Sequence, residues 1–351
     1  MLHLTGRIGP TVERTRSCAE AMAHRRPRVA GALIGTAMLA ACAGAPASDQ
    51  NPDSPNAGFP VTMTNCGHEV TIATEPQRVV TLNQGATEVV LALGRADRLA
   101  GTAYLDDSVA DVWAERYEKV PVLADEYPSH EQLLSADPDL IYASYGSAFD
   151  KEVAGDRAAL DEHGVSSYLS SFGCHQEAQR LEPSFEAVWQ ELRAVARLLG
   201  SSDSADNLVS EQRMLLNEIL NAAPGDGLTA LWYDSGDKTP LVGGGQSGPQ
   251  LILDAVGARN MFGKVERGWS EGNWEDVLAE DPDVIILADA SWSSAEEKRE
   301  FLESDPVLKA LSAVQNKAFV TVPYSEATPG VRLVDGTRRV ADQLVSLGLV
   351  G

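Results

Sequence analysis

The 351-residue sequence predicts an α/β protein whose folded part is two lobes, each built on a mostly parallel sheet, joined by one long helix. Three observations carry this prediction. Short continuous apolar runs alternate with helix-period stretches, the pattern of buried parallel strands and their crossover helices. A twelve-residue pattern occurs twice, 144 residues apart, so two regions share one local plan. Between the copies lies an uninterrupted amphipathic stretch long enough to connect two lobes.

The chain opens on an export signal. The basic patch His24-Arg25-Arg26-Pro27-Arg28 precedes an apolar run from Ala30 to Ala41, and Leu39-Ala40-Ala41-Cys42 supplies the small residues that a signal peptidase requires. The run is too short to cross a bilayer. Cysteine at the cut makes Cys42 the expected site of a diacylglycerol anchor and the first mature residue. Residues 1–21 add little to this signal, and Met22 is an alternative start. Residues 42–60, rich in Ala, Gly, Pro, Ser, Asn and Asp, read as a flexible tether between anchor and fold.

Removing residues 1–41 leaves 22 of the 28 basic and 49 of the 51 acidic side chains, a formal charge of −27. A field of that sign repels phosphate backbones, so nucleic acid is excluded as a partner. The mature part holds Cys66 and Cys174 alone. An even pair in an oxidising compartment reads as a disulfide, although spacing by itself does not decide whether two cysteines can bridge.

The folded part divides into a first lobe over 61–202, a connecting helix over 203–223 and a second lobe over 224–351. In the first lobe, Arg78-Val-Val-Thr-Leu82 reads as a strand before the helix Thr87 to Leu93, and Leu140-Ile-Tyr-Ala143 as a strand after the helix Ser129 to Ser135. In the second lobe the strands are Leu228-Thr-Ala-Leu-Trp-Tyr233, Val284-Ile-Ile-Leu-Ala288 and Ala318-Phe-Val-Thr-Val322. The repeat aligns His130-Glu131 through Asp137-Pro138-Asp139-Leu-Ile141 with Trp274-Glu275 through Asp281-Pro282-Asp283-Val-Ile285. In each copy a short helix starts near the glutamate, is stopped by Asp-Pro, and feeds an apolar strand. The connecting stretch carries Leu208, Met214, Leu215, Ile219 and Leu220 at helical spacing, begins in a Ser/Asp cluster and ends at Ala223-Pro224-Gly225. A single helix there bends rather than hinges freely.

Pro76-Gln-Arg78-Val-Val-Thr-Leu-Asn83 with Glu88 and Leu91-Ala-Leu-Gly94, the paired Glu and Asp-Pro-Asp segments, Val256-Gly257-Ala-Arg-Asn260 and the helix start at Pro329-Gly330 together resemble the periplasmic binding proteins of iron-siderophore and vitamin B12 ABC importers. The resemblance covers about Val61 to Gly351 and rests on the order and spacing of motifs that are individually weak. It implies two Rossmann-like lobes in the class III substrate-binding arrangement, with a ligand held between them. It further implies delivery to a permease dimer with its ATPase, and a lipoprotein at the extracytoplasmic face of the cell membrane. No catalytic residue and no resident cofactor are expected; any iron or cobalt would belong to the transported ligand. A subgroup carrying a deazaflavin-cofactor precursor is similar over Leu82-Asn-Gln-Gly-Ala-Thr-Glu88, Gly101-Thr-Ala-Tyr104-Leu-Asp-Asp107 and Ala143-Ser-Tyr-Gly-Ser-Ala-Phe149.

The resemblance also implies that one surface glutamate on each lobe, here Glu131 and Glu275, pairs with permease arginines. Ligand contacts are expected in loops after strand ends. On the first lobe these are Gln84, Gly85, Tyr104, Tyr145, Ser147 and Phe149; on the second, Trp232, Tyr233, Trp269, Trp292, Tyr324 and Arg332. Aromatics offer large contact area at low entropy cost, and Arg332 is the residue expected to meet an anionic group.

Other chemistries find less support. All histidines of the mature chain, His68, His130, His163 and His175, lie in its first half, which argues against a metal-ion site assembled by imidazoles from both lobes. Gly243-Gly-Gly-Gln-Ser-Gly-Pro249 lacks the lysine of a Walker A loop and the G-x-S-x-G of a hydrolase elbow, and reads as a turn before a helix. His130-Glu131 lacks the second histidine of a zinc-protease helix.

Overall fold

The computed structural model describes residues 58–349; the export segment, Cys42 and most of the tether lie outside them. The described chain begins with a hairpin, β1 (Val61–Asn65) and β2 (His68–Ile72), closed by Cys66 and Gly67. Both turn residues have positive φ, 50° and 76°, as a two-residue turn matched to strand twist requires. Asn65 then docks the hairpin on the first sheet. Its amide donates to the Leu169 carbonyl at 2.7 Å and accepts from the Leu169 N–H at 2.9 Å, replacing a ladder partner. The disulfide expected between Cys66 and Cys174 is formed, with Cα atoms 5.3 Å apart, and fastens the same hairpin to the loop after that strand.

The first sheet comprises β3 (Val79–Leu82), β4 (Leu99–Ala103), β5 (Val122–Ala124), β6 (Leu140–Ala143) and β7 (Ser166–Leu169). Its order is β5-β4-β3-β6-β7, all parallel, the doubly wound arrangement. Helices α1 (Gln84–Ala92), α2 (Asp111–Tyr117), α3 (His130–Ser135) and α4 (Arg157–Glu162) make the crossovers. Every residue of β3 and β6 is buried, which accounts for their unbroken apolar sequence.

Two helices follow, α5 (Phe185–Leu198) and α6 (Ser202–Ala222). Helix α6 packs on α5 at one end of its surface and on two helices of the second lobe, α7 (Gly248–Val256) and α12 (Leu333–Ser346), at the other. Gln212, in the middle of α6, accepts from the Trp189 indole at 2.8 Å and donates to the Val331 carbonyl at 2.7 Å, so one buried amide ties both lobes to the connecting helix. Met214 and Leu220, read as apolar positions of this helix, are exposed, whereas Val209, Leu216 and Ile219 form its buried stripe.

The second sheet runs β11-β9-β8-β12-β13, with β10 paired to β8. The strands are β8 (Thr229–Ser235), β9 (Leu241–Gly243), β10 (Arg259–Asn260), β11 (Trp269–Glu271), β12 (Val284–Asp289) and β13 (Phe319–Pro323). Strands β8, β12, β13 and β10 are parallel; β9 and β11 add an antiparallel edge. Helices α8 (Trp274–Glu280), α9 (Ala295–Ser304), α10 (Ser312–Gln315) and α11 (Tyr324–Ala327) complete the lobe.

The sequence repeat corresponds to a repeated structural device. Helices α3 and α8 end where Asp137 and Asp281 adopt positive φ, 49° and 45°, and a buried proline follows each. The second aspartate of each copy then caps the neighbouring strand. Asp139 accepts from the N–H groups of Gln77 and Arg78, just before β3, and Asp283 accepts from Thr229 N–H at the start of β8. One tripeptide thus stops a helix and aligns the central strand pair in both lobes.

Candidate functional site

The loops after β3, β4, β5 and β6 face those after β12 and β13 across the interlobe cleft. Two adjoining cavities fill it. The larger, about 490 Å³, is bounded by Gly85, Tyr145 and Phe172 of the first lobe and by Trp269, Tyr324 and Val331 of the second. The smaller, about 260 Å³, is bounded by Tyr104, Asp106, Tyr127, Tyr145 and Ser147 on one side and Trp292 and Tyr324 on the other. Tyr145 and Tyr324, one from each lobe, line both.

The aromatic walls are ordered by ring contacts. Trp269 lies nearly parallel to Tyr324, centroids 5.8 Å apart and planes 22° apart, while Trp292 meets Tyr324 edge-on at 4.9 Å. Tyr104 and Tyr127 pack edge to face at 4.8 Å. The Tyr127 hydroxyl is fixed by Ser147 Oγ at 2.9 Å and by the buried Asn83 amide at 3.0 Å. Both Asn83 and Tyr104 hold positive φ, 75° and 61°, an unfavourable backbone region for a tyrosine that the surrounding packing must maintain.

Beside the cavities a buried polar seam joins the lobes. Arg332 donates to Glu88 Oε1 at 3.2 Å, to Ser325 Oγ at 2.7 Å and to Glu326, which also receives two hydrogen bonds from Arg339. Asp107 crosses the same gap, accepting from Ser325 N–H at 2.9 Å and Ser325 Oγ at 2.8 Å. Burial pushes the Glu88 carboxyl up to about 7, against the lowering influence of Arg332 and Gln84. Burial alone would depress Arg332, but Glu88 and Glu326 outweigh it and hold the guanidinium above its usual value.

Seven of the twelve residues expected at the ligand line these cavities: Gly85, Tyr104, Tyr145, Ser147, Trp269, Trp292 and Tyr324. The other five do not. Trp232 and Tyr233 are fully buried inside β8, which runs on to Ser235 and is covered on both faces. Phe149 turns into the first-lobe core beneath Arg157. Gln84 belongs to the polar seam, donating to Asp107 at 2.6 Å and accepting from the Asp106 and Asp107 N–H groups. Arg332, expected to meet an anionic group, is enclosed by carboxylates of its own protein and is 6% exposed. Sequence reasoning missed Asp106, Tyr127 and Phe172. The first two lie in post-strand loops, and the short edge strand β5, with Val122 exposed, gave no apolar run to mark Tyr127 as one of them.

Three N–H groups of the glycine-rich turn before α7 are committed to backbone partners. Gly244, Gly245 and Gln246 donate to the carbonyls of Gly268, Val265 and Arg267. A Cβ at Gly245 would meet the Gly263 carbonyl oxygen at 2.2 Å, so close backbone packing explains the glycine. Glu131 and Glu275 occupy equivalent exposed positions, the second residue of α3 and of α8, each helix capped by the preceding Ser129 or Asn273 side chain.

Comparison with known proteins adds a family to this geometry. The profile described as "Periplasmic binding protein" matches residues 79–325, the span from β3 to α11. An uncharacterized ABC transporter substrate-binding lipoprotein, YvrC, of Bacillus subtilis (strain 168) is 25% identical over 90% of this chain and 95% of its own length. A cobalamin-binding protein of Halobacterium salinarum (strain ATCC 29341 / DSM 671 / R1) is 25% identical over 74% of this chain and 66% of its own. Among solved structures, a periplasmic binding protein from Veillonella parvula DSM 2008 superposes with a TM-score of 0.69 at 27% identity, covering 81% of this chain and 96% of that one.

Proposed function

The chain belongs to the periplasmic binding protein family, and on that premise we propose that it is the substrate-binding component of an ABC importer, taking up an iron chelate or a corrinoid. The observation that supports this reading is the cleft itself: aromatic side chains from both lobes enclose adjoining cavities at the strand ends, and a fixed seam beside them keeps the walls in register. Such a cavity suits capture of a small molecule by contact area rather than by chemistry performed on it. Iron or cobalt would be cargo, with no resident cofactor. The name of the Halobacterium relative, a cobalamin-binding protein, agrees with a corrinoid.

Cys42 carries the lipid anchor in this account, holding the protein at the extracytoplasmic membrane face, and the loaded protein docks on a permease dimer served by its ATPase. Glu131 and Glu275 are the docking charges, one per lobe, suited to bidentate pairing with arginine. Their equivalent exposed positions on repeated helices support this role. The double variant Glu131→Ala/Glu275→Ala is expected to abolish uptake in cells while ligand affinity of the purified protein stays within about twofold, because surface charges outside the cleft contribute little to it. Normal uptake by the double variant removes the docking assignment.

A second ligand class, a deazaflavin-cofactor precursor, draws support from the near-parallel Trp269 and Tyr324 rings at the larger cavity, a surface on which a flat heteroaromatic system would stack. Absorbance of the bound molecule separates the two: a ferric charge-transfer or corrin spectrum supports the first, a deazaflavin band the second.

A further inference from the structure

The smaller cavity combines features that the larger one lacks. Its walls are Tyr104, Tyr127, Tyr145, Trp292 and Tyr324, with Ser147 at the edge, and the single charged group lining it is Asp106. Asp106 is 6% exposed, and its carboxylate accepts no hydrogen bond from any described residue, since the contacts of this residue are made by its backbone N–H to Gln84 and its carbonyl to Ser291. The basic side chains nearby are engaged elsewhere. Arg332 is held by Glu88 and Glu326, and Lys298 donates to the carbonyls of Asp234 and Ser293. A buried carboxylate without a partner is costly, and one surrounded by tyrosine and tryptophan rings presents what a cation needs: negative charge at the base and electron-rich rings at the sides.

We propose that this cavity is a subsite for an organic ammonium group carried by the ligand, with Asp106 as its counter-ion and Tyr104, Tyr127, Trp292 and Tyr324 as the surrounding box. The proposal rests on the reading of the cleft as the ligand site and narrows it to ligands bearing a protonated or quaternary amine. The strained backbone of Tyr104, two residues from Asp106, and the double tether on the Tyr127 hydroxyl fix one side of the box before any ligand arrives. Burial, with Asp107 beside it, raises the Asp106 carboxyl to about 6. The groups facing it are Asp107, the four tyrosines and, across the cleft beyond Tyr324, Asp234. An ammonium group binds the ionised carboxylate, so its affinity rises as pH increases through about 6 and levels off above it.

The test uses small probes rather than the cargo. Saturation-transfer NMR at constant ionic strength compares n-butylammonium and tetramethylammonium with the neutral n-butanol. We expect an ammonium probe to bind in the millimolar range, n-butanol to bind at least about tenfold more weakly, and Asp106→Asn to weaken ammonium binding about tenfold or more. Trp292→Ala, altering a residue that is 53% exposed, is expected to weaken binding about threefold or more without threatening the fold if Asp106→Asn does not fold. Equal binding of n-butanol and n-butylammonium, no binding of either ammonium probe, or unchanged ammonium affinity in both variants overturns the subsite. Because the probes report on the box alone, that result leaves importer function standing, while failure to find any transported cargo leaves the subsite result intact.

Discussion

Arg332 and Glu88 show how single residues govern the cleft. Both are almost fully buried, and their pairing crosses the lobes. Breaking a buried ion pair from one side leaves an uncompensated charge, so Arg332→Ala is expected to cost about 3–5 kcal/mol at pH 8, read from denaturant unfolding. The loss should shrink toward pH 5. Glu88 is protonated more readily in the fold than in the unfolded chain, since burial raises it to about 7 from an ordinary value of 4.5. Its contribution is therefore fully present below about 4.5 and lost as pH rises through about 7. Asp106 adds the same sign over a lower window, from about 3.8 to about 6. The ligand-free protein should accordingly melt at higher temperature at pH 5.5 than at pH 8, with a flatter profile in Glu88→Gln; an unchanged profile in that variant contradicts the assignment to Glu88.

The repeated Asp-Pro-Asp tripeptide is the clearest link between sequence and element. Asp139 accepts two backbone N–H groups before β3 and is partly buried, whereas Asp283 accepts one at the start of β8 and is exposed. Asp139→Ala should therefore destabilise by about 1.5–3 kcal/mol and Asp283→Ala by no more than about 1 kcal/mol, a ranking that thermal unfolding of the two variants checks. The hairpin adds a second prediction. The Cys66–Cys174 bridge closes a separation of 108 residues, so Cys66→Ser/Cys174→Ser should lose about 3–5 kcal/mol, read from denaturant unfolding under oxidising conditions. The central strands were legible because burial on both faces leaves continuous apolar runs, as in β3, β6 and β12. Strands β5, β9 and β11, at or next to a sheet edge and each three residues long, leave almost no pattern. The same two-sided burial misled the site reading: Trp232 and Tyr233 stand at the end of an apolar run, yet β8 continues past them through Asp234 and Ser235 and keeps both in the core. Arg332 misled for another reason, since its cross-lobe partners Glu88 and Asp107 come from distant parts of the chain that sequence spacing does not bring together.

At the scale of the whole folded unit, three sets of contacts hold the lobes to each other: the α6 helix with Gln212, the Arg332 seam, and the hydrogen bond from Ser291 N–H to the Asp106 carbonyl at the smaller cavity. A long helix resists hinge motion, and the seam adds charged contacts that separation would leave unpaired, so ligand binding should act mainly through side chains lining the cleft. The aromatic residues placed there by the two sheets, Tyr145, Trp269, Trp292 and Tyr324, line the cavities and are the ligand-selecting side chains in the function proposed above. The direct test is mass spectrometry with an absorbance spectrum of small molecules retained by the purified protein, followed by Trp fluorescence titration with ferric chelates, cobalamin and a deazaflavin. The account predicts one retained or titratable molecule per chain, lost in Tyr145→Ala/Tyr324→Ala. No retained molecule and no fluorescence response to any of the three classes would contradict it.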